Sequence, residues 1–186
     1  PMFENCNNLT AVNIGEKVTT IPDYAFSGCS GLATVNFNAI NCTSMGSYDY
    51  PAFEECDNLT TFNIGEKVTT IPDYAFWDCT KITKVTLGKK VRVLGNGVFY
   101  GCSALTSATL GSSLEKISYR AFYNCKNLST IKIPDSVLCI GEEAFANTAY
   151  YNNSSNWQNK VLYIGNHLIL AKTDISGSYT VKSGTV

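Results

Sequence analysis

The stretch AFWDCTKITKVTLGKKVRVL, residues 75–94, is one copy of a unit that recurs with the pattern AFxxCxxLTxVxIxxxVxxI. Successive copies lie 23 residues apart, with a single step of 27. The phenylalanines of the pattern are Phe3, Phe26, Phe53, Phe76, Phe99, Phe122 and Phe145. Self-similarity with a period of about 20–50 residues is typical of stacked repeats, in which each unit buries its apolar side only against its neighbours. The spacing therefore predicts a solenoid with a continuous column of phenylalanine rings.

Each unit contains two short strand patterns. Segments such as 9–14, 59–64 and 128–133 alternate between apolar and polar residues in their last three positions, which favours a strand with one buried face. A second extended piece, such as 68–71, follows a tight turn at Gly65. Segment 73–79 then carries an alanine and a phenylalanine inward, and we interpret it as a single helical turn. No segment is long enough for a full helix, so strands are expected to dominate.

Six of the eight cysteines occupy one equivalent position, three residues after a phenylalanine of the pattern. They are Cys6, Cys29, Cys56, Cys79, Cys102 and Cys125. Equivalent positions face equivalent surroundings, so we interpret them as a column of reduced, buried thiols that pack as small hydrophobic groups. Disulfides between neighbouring layers are the alternative. Cys42 and Cys139 lie outside this column, and we interpret them as small neutral residues, with a reactive role as the alternative.

Composition excludes several classes of partner. Fourteen basic and fifteen acidic residues give a net charge of -1, which provides no electrostatic reason to expect binding to nucleic acid or anionic lipid. No apolar run approaches the roughly 18 residues of a membrane span, so no membrane insertion is expected. The start PMFENCNNL matches PAFEECDNL at 51–59, and the end YTVKSGTV resembles part of a further repeat. We therefore expect a fragment of a longer protein.

The motif C-x-x-L-x-x-V-x-I in a 23-residue period, with AF before the cysteine, resembles the BspA-like leucine-rich repeats of bacterial surface proteins. The resemblance implies a leucine-rich-repeat solenoid, a right-handed superhelix of the α/β type that is dominated by strands with short helical turns. Repeats are expected over 1–147, an irregular hairpin-bearing insertion over 148–178 and the start of a further repeat over 179–186. The 27-residue unit departs from the pattern by an insertion that we place around 38–44.

Motifs for catalysis are weak. The single histidine, His167, lies in VLYIGNHLIL, which is typical of a hairpin that turns at Gly165 and Asn166. No GxSxG or comparable nucleophile motif accompanies it. The sequence Gly95-Asn96-Gly97 lacks the third glycine and the helix of a nucleotide-binding loop, so we interpret it as a variant repeat turn. The chain has no CxxC and no calcium-binding nonapeptide, so neither a catalytic site nor a metal or other cofactor is expected.

The candidate site is a surface. Outward-facing strand positions should stack into two columns of small, polar, mostly uncharged side chains, which provide hydrogen bonds at a low cost in side-chain entropy. The residues of this candidate face are Thr34, Asn36, Thr61, Asn63, Lys84, Thr86, Ser107, Thr109, Thr130 and Lys132. A face that only keeps the repeat soluble is the alternative. The aromatic tail over 147–177, with Tyr150, Tyr151 and Trp157, is expected to cover one side of the solenoid, with a binding loop as its alternative.

The resemblance and the candidate face together predict a monomeric, non-catalytic interaction module of a cell-surface or secreted bacterial protein. Its expected role is adhesion, through a protein or glycan ligand on the host or on a neighbouring cell. The alternative is a structural spacer that presents another domain of a larger surface protein. An enzyme is disfavoured by the motifs described above.

Overall fold

The computed structural model describes residues 2–176, 178, 180–181 and 184–185. In its repeats, short strands form two columns of parallel strands. The first column consists of β1 (Ala11–Ile14), β3 (Thr34–Phe37), β5 (Thr61–Ile64), β7 (Lys84–Thr86), β9 (Ser107–Thr109) and β11 (Thr130–Lys132). The second consists of β2 (Thr20–Ile21), β4 (Ser44–Met45), β6 (Thr70–Ile71), β8 (Val93–Leu94), β10 (Lys116–Ile117) and β12 (Cys139–Ile140). The prediction of a solenoid dominated by strands is confirmed.

Strand pairing follows the repeat. In the first column β1, β3 and β5 form one parallel sheet, while β7, β9 and β11 form another. In the second column β2 pairs with β4, and β6, β8, β10 and β12 form a four-stranded sheet. Equivalent positions lie opposite each other, as in the pairs Thr34–Thr61 and Lys84–Ser107. Because side chains alternate along a strand, this register keeps one set of equivalent residues inside and the other outside.

The turn that carries each phenylalanine differs from our prediction. Around Phe76, Tyr74 and Asp78 have φ angles of 57° and 53°, and Arg120 and Asn124 flank Phe122 in the same way. Left-handed residues at these positions are incompatible with a helical turn. They allow main-chain donors to reach the next layer: the Phe76 N–H donates to the Val98 carbonyl over 2.9 Å. Segment 73–79 therefore consists of tight turns, and the single helical turn predicted for it was wrong.

The 27-residue step also differs in detail from the predicted insertion at 38–44. Ser44 of β4 pairs with Thr20 of β2, an offset of 24 residues, so only one extra residue precedes β4. The other three lie between β4 and Phe53, where residues 46–51 form a small loop closed by a bridge between Gly46 and Pro51. A loop at this point leaves the strands of the 27-residue unit in register with the preceding unit.

The phenylalanine rings stack through the core as predicted, and we call this column the phenylalanine spine. Neighbouring ring centroids are 5.1 to 5.9 Å apart, and the ring planes are nearly parallel. Two further phenylalanines, Phe37 and Phe62, occupy positions where other units have smaller aliphatic residues. Both are buried, and the Phe62 ring lies 3.8 Å from that of Phe76. The core therefore has its highest aromatic content in the units that begin at Phe26 and Phe53.

After the repeats the chain forms a short helix, α1 (Ala149–Asn152), a 3₁₀ turn at Ser154–Asn156, and an antiparallel sheet of β13 (Trp157–Gln158), β14 (Val161–Ile164) and β15 (His167–Ala171). All four residues of β14 are buried. The Tyr150 hydroxyl donates to the Tyr163 carbonyl over 2.9 Å, and the Tyr150 N–H donates to the Leu128 carbonyl over 2.8 Å. The sheet thus packs against the last repeat layer.

Parts of the predicted further repeat, at residues 179, 182, 183 and 186, lie outside the described residues. Within the described part of the chain no helix has the length and apolar character needed to cross a membrane.

Candidate functional site

The ten residues of the candidate face lie on the outward side of the first strand column, where each is exposed or half-buried. Register brings them into neighbouring pairs, such as Asn36 beside Asn63 and Thr86 beside Thr109. The face does not form one continuous sheet, because β5 and β7 are not paired. The structure therefore assembles the predicted residues in two groups, one on β3 and β5 and the other on β7, β9 and β11.

Asparagine amides link the first group. The Asn36 Nδ2 donates to Asn13 Oδ1 over 2.6 Å, and the Asn63 Nδ2 donates to Asn36 Oδ1 over 2.7 Å. This ladder ends at β5, because the next equivalent residue on β7 is Thr86. Each bonded amide holds a fixed orientation, so the surface is ordered before a ligand arrives, which reduces the entropic cost of binding.

A groove of about 470 Å³ opens where the two groups meet. It is lined by Thr60, Thr61, Phe62, Asn63, Ile64, Thr83, Lys84 and Thr86. Four of the predicted residues therefore converge there, and Lys84 provides the only charge among the lining side chains. A second depression of about 430 Å³ lies between β9 and β11, beside Ser107, Thr109, Thr130 and Lys132. The groove offers hydroxyl, amide and ammonium groups over an apolar floor, which suits an extended polar segment with a negative group opposite Lys84.

The cysteine column is part of the core. Cys29, Cys56, Cys79, Cys102 and Cys125 are buried, while Cys6 is exposed at the first layer. The thiols of Cys56, Cys102 and Cys125 donate to carbonyls of spine phenylalanines in neighbouring layers over 3.1 to 3.2 Å. Burial raises the pKa of the Cys56 and Cys125 thiols to about 12 and raises the pKa of Cys79 and Cys102 well above its usual value. These protonated thiols are unsuited to nucleophilic chemistry.

The two cysteines outside the column differ. Cys42 is buried and its thiol donates to the Ser44 carbonyl over 3.2 Å. Cys139 is exposed on β12, opposite Lys116. Among the described residues no group of three or more histidine, cysteine or acidic side chains is placed to hold a metal ion.

His167 is buried at the start of β15, where its Nε2 lies 3.2 Å from the Val137 carbonyl. Since a carbonyl only accepts, Nε2 carries the proton in this contact.

The Asn96 main chain and side chain both donate to the Asp73 carboxylate, over 2.7 and 2.9 Å. Gly95-Asn96-Gly97 is therefore a turn that is bonded to the equivalent turn of the preceding layer. Its role is to hold neighbouring layers together.

Sequence reasoning missed an aromatic row on the outer turns. Trp77 stacks on Tyr100 with ring centroids 3.7 Å apart, and Tyr100 stacks on Tyr123 at 5.0 Å. The Arg120 guanidinium lies 5.0 Å from the Tyr123 ring centroid, and its Nε contacts the Glu143 carboxylate over 2.6 Å. These rings cover one another's faces, so the row is a poor platform for stacking a sugar ring. The signal was available, because each of the three residues directly follows a spine phenylalanine.

Comparison with known proteins places this geometry in context. The family model for the BspA type leucine rich repeat region, in six copies, matches residues 1–117 and 49–176. A T. pallidum leucine rich repeat protein, TpLRR, is 24% identical, with a TM-score of 0.65 over 82% of this chain and 69% of that one. No curated protein matches.

Two further solved structures are more similar in sequence and much longer. A leucine-rich repeat protein from Bacteroides ovatus is 28% identical, with a TM-score of 0.64 over 74% of this chain and 34% of that one. A leucine rich cell surface protein from Faecalibacterium prausnitzii is 29% identical, with a TM-score of 0.59 over 87% of this chain and 45% of that one. The chain thus spans less than half the length of each of these two proteins.

Proposed function

This chain belongs to the BspA type leucine rich repeat family, and from that premise we propose that it is a non-catalytic interaction module of a bacterial cell-surface or secreted protein. One structural neighbour is a cell surface protein, which supports the proposed location. The candidate face engages its partner, and the monomer is the binding form. Nucleic acid and the membrane interior are not among its ligands.

The groove between β5 and β7 carries the proposal. There Thr61, Asn63, Lys84 and Thr86 present donors and acceptors around a shared depression, while Phe62 provides an apolar floor. Polar groups around an apolar centre are typical of interfaces between proteins. The preferred ligand is therefore an extended protein segment, such as one from a matrix protein or a neighbouring cell, that places a carboxylate near Lys84. A glycan is the alternative ligand, and the experiment tests it separately.

The experiment measures binding of the purified chain to a panel of immobilised extracellular-matrix proteins and to a glycan array. For any ligand bound, Lys84→Glu and Asn63→Arg should each weaken affinity about tenfold or more, since they reverse charge or fill the groove. Lys116→Glu is the matched control, because Lys116 is an exposed lysine on β10 of the other strand column. Equal loss in the control, or no loss at Lys84, would refute the proposed face. Absence of any ligand would favour the structural spacer.

A further inference from the structure

One boundary between layers of the solenoid differs from the others. We call it the seam: on one side lie β4, the Phe53 turn and β5, and on the other lie β6, the Phe76 turn and β7. Neither β4 and β6 nor β5 and β7 are paired. Among the described residues, no main-chain hydrogen bond of the turns and loops crosses it. The interruption therefore runs around the whole circumference of one layer.

The neighbouring boundaries show what is missing. Before the seam, the Phe26 N–H donates to the Ala52 carbonyl over 2.8 Å, and the Gly65 N–H donates to the Phe37 carbonyl over 2.8 Å. After it, the Phe76 and Asp78 N–H groups donate to Val98 and Tyr100. The thiol ladder shows the same gap, since Cys56 and Cys102 donate to the carbonyls of Phe26 and Phe76, whereas no such bond joins Cys79 to Phe53 in the described residues. The two strand columns and the thiol ladder thus stop at the same boundary.

Two prolines remove main-chain donors at the interruption. Four residues before a spine phenylalanine, the N–H groups of Gly95, Ser118 and Gly141 donate to the preceding layer, but the equivalent residue at the seam is Pro72. Two residues before a spine phenylalanine, Tyr74, Gly97 and Arg120 donate to the following layer, but the equivalent residue at the seam is Pro51. Proline has no N–H, and it is typical of strands at the edge of a sheet. Both sides of the seam therefore lack a donor that the layers after it use.

Aromatic side chains hold the seam together. Phe62 lies on the first side and packs on Phe76 of the second, with centroids 3.8 Å apart. Near the surface, Tyr48 contacts Trp77 edge-on at 4.8 Å and Tyr74 at 5.9 Å. These contacts resemble a hydrophobic interface between two bodies more than a continued ladder.

The sequence contains the same division. Residues 1–26 and 51–76 differ at only five of 26 positions, and each copy carries both prolines of the pattern, one at its start and one four residues before its last phenylalanine. The second copy straddles the seam. The period that repeats the prolines is therefore 50 residues, and the 23-residue unit is a subdivision of it.

We propose that the seam divides the solenoid into two cooperative units, residues 2–65 and residues 69–171, and that it is the first internal boundary to open under denaturant or force. In a repeat protein, stability is a sum of unit terms and nearest-neighbour interface terms. A boundary that lacks the main-chain bonds of its neighbours has the weakest interface term. Unfolding then stops at the seam, and one unit stays folded while the other opens.

Native-state hydrogen exchange of the full chain at increasing urea tests this division. Peptides from 10–62 should share one opening free energy, and peptides from 90–145 should share another, with exchange rates that differ about tenfold or more and a single step between 65 and 88. One common opening free energy across both regions would overturn the proposal, as would a smooth gradient from the chain end without a step.

A matched pair of variants tests the role of proline. Pro72→Gly restores an N–H that can reach the Met45 carbonyl across the seam, as the Gly95 N–H reaches Ile71 over 2.9 Å. Pro22→Gly makes the same change in the identical local sequence of the first layer, where no strand of the described chain lies on that side. Both variants raise the conformational entropy of the unfolded chain equally. The difference between them therefore reports only the effect of the new N–H at the seam. The exchange step should shrink in Pro72→Gly alone, and an equal step in the two variants would overturn the role assigned to Pro72.

Discussion

Individual rings of the phenylalanine spine carry a large share of the stability. Phe76 is fully buried and contacts Phe53, Phe62 and Phe99, with centroid distances of 5.9, 3.8 and 5.7 Å. Phe76→Ala should lower the free energy of unfolding by about 3–5 kcal/mol, because it removes a buried ring and leaves a cavity. Urea unfolding followed by far-UV circular dichroism measures this loss.

Phe3→Ala is the control for that substitution. Among the described residues Phe3 stacks on Phe26 alone, and it remains 42% exposed, so its truncation should lower the free energy of unfolding clearly less. Equal losses for the two variants would contradict a cooperative spine in which burial decides the contribution of each ring.

The thiols differ in reactivity according to burial. Since burial raises the pKa of the Cys56 and Cys125 thiols to about 12, they stay protonated at pH 8. Iodoacetamide at pH 8 should therefore label the exposed Cys6 and Cys139 in the native protein, while the six buried cysteines should react only after denaturation. Mass spectrometry of the alkylated chain counts the labels. Fewer than eight labels after denaturation without reductant would favour disulfides over a reduced column.

The same pKa values set a dependence of stability on pH. The folded-state pKa of Cys56 and Cys125, about 12, lies above the value near 9 of an accessible thiol, so the native state retains protons that the unfolded state releases. Their contribution is complete below about pH 9 and is lost as the pH rises from there toward 12. The melting temperature should fall over this alkaline range, and Cys125→Ala should reduce the slope of that fall. An unchanged slope would contradict the assignment.

At the scale of single elements, the turn before each spine phenylalanine depends on its neighbour. The Asp73 carboxylate accepts two hydrogen bonds from Asn96 in the next layer. Asp23 occupies the same position in an identical stretch, TTIPDYAF, but makes no side-chain hydrogen bond in the described part of the chain. Asp73→Ala should therefore lower the free energy of unfolding by about 1.5–3 kcal/mol, and Asp23→Ala should lower it much less. Thermal unfolding of the pair measures the difference, and equal shifts would show that the contact between layers contributes nothing.

Several elements could be predicted from sequence and others could not. The alternation in segments such as 59–64 placed β5 correctly, because period 2 directly reports which side chains are buried. The turns around Phe76 were mistaken for helix because Tyr74 is not a residue type that usually signals a left-handed conformation, although Asp78 is one that adopts it more often than most. At Tyr74 and Asp78 that conformation accompanies hydrogen bonds from their N–H groups to the next layer, which no local pattern contains.

For the whole molecule, the 23-residue period was sufficient to predict the solenoid, since a regular repeat leaves few ways to bury its apolar residues. The candidate face followed from the same period, and its residues do lie outward. The groove at Asn63 and Lys84 did not follow, because it depends on the interruption between β5 and β7. Pro51 and Pro72 lie at the same boundary between layers and lack main-chain donors that Tyr74 and Gly95 use, which becomes apparent once each layer is aligned with the next.

The two tryptophans provide separate signals for the seam and for the sheet that follows the repeats. Trp77 packs against Tyr48 across the seam, whereas Trp157 lies in β13 and donates its indole N–H to the Tyr151 carbonyl over 2.7 Å. Trp157→Phe leaves Trp77 as the sole reporter, and Trp77→Phe leaves Trp157. If the seam opens first, Trp77 fluorescence in the first variant should change at lower urea than the far-UV circular dichroism signal of the same protein. Trp157 fluorescence in the second variant should follow the later transition. Coincident midpoints for all probes are the signature of two-state unfolding and would show that the solenoid behaves as a single cooperative block.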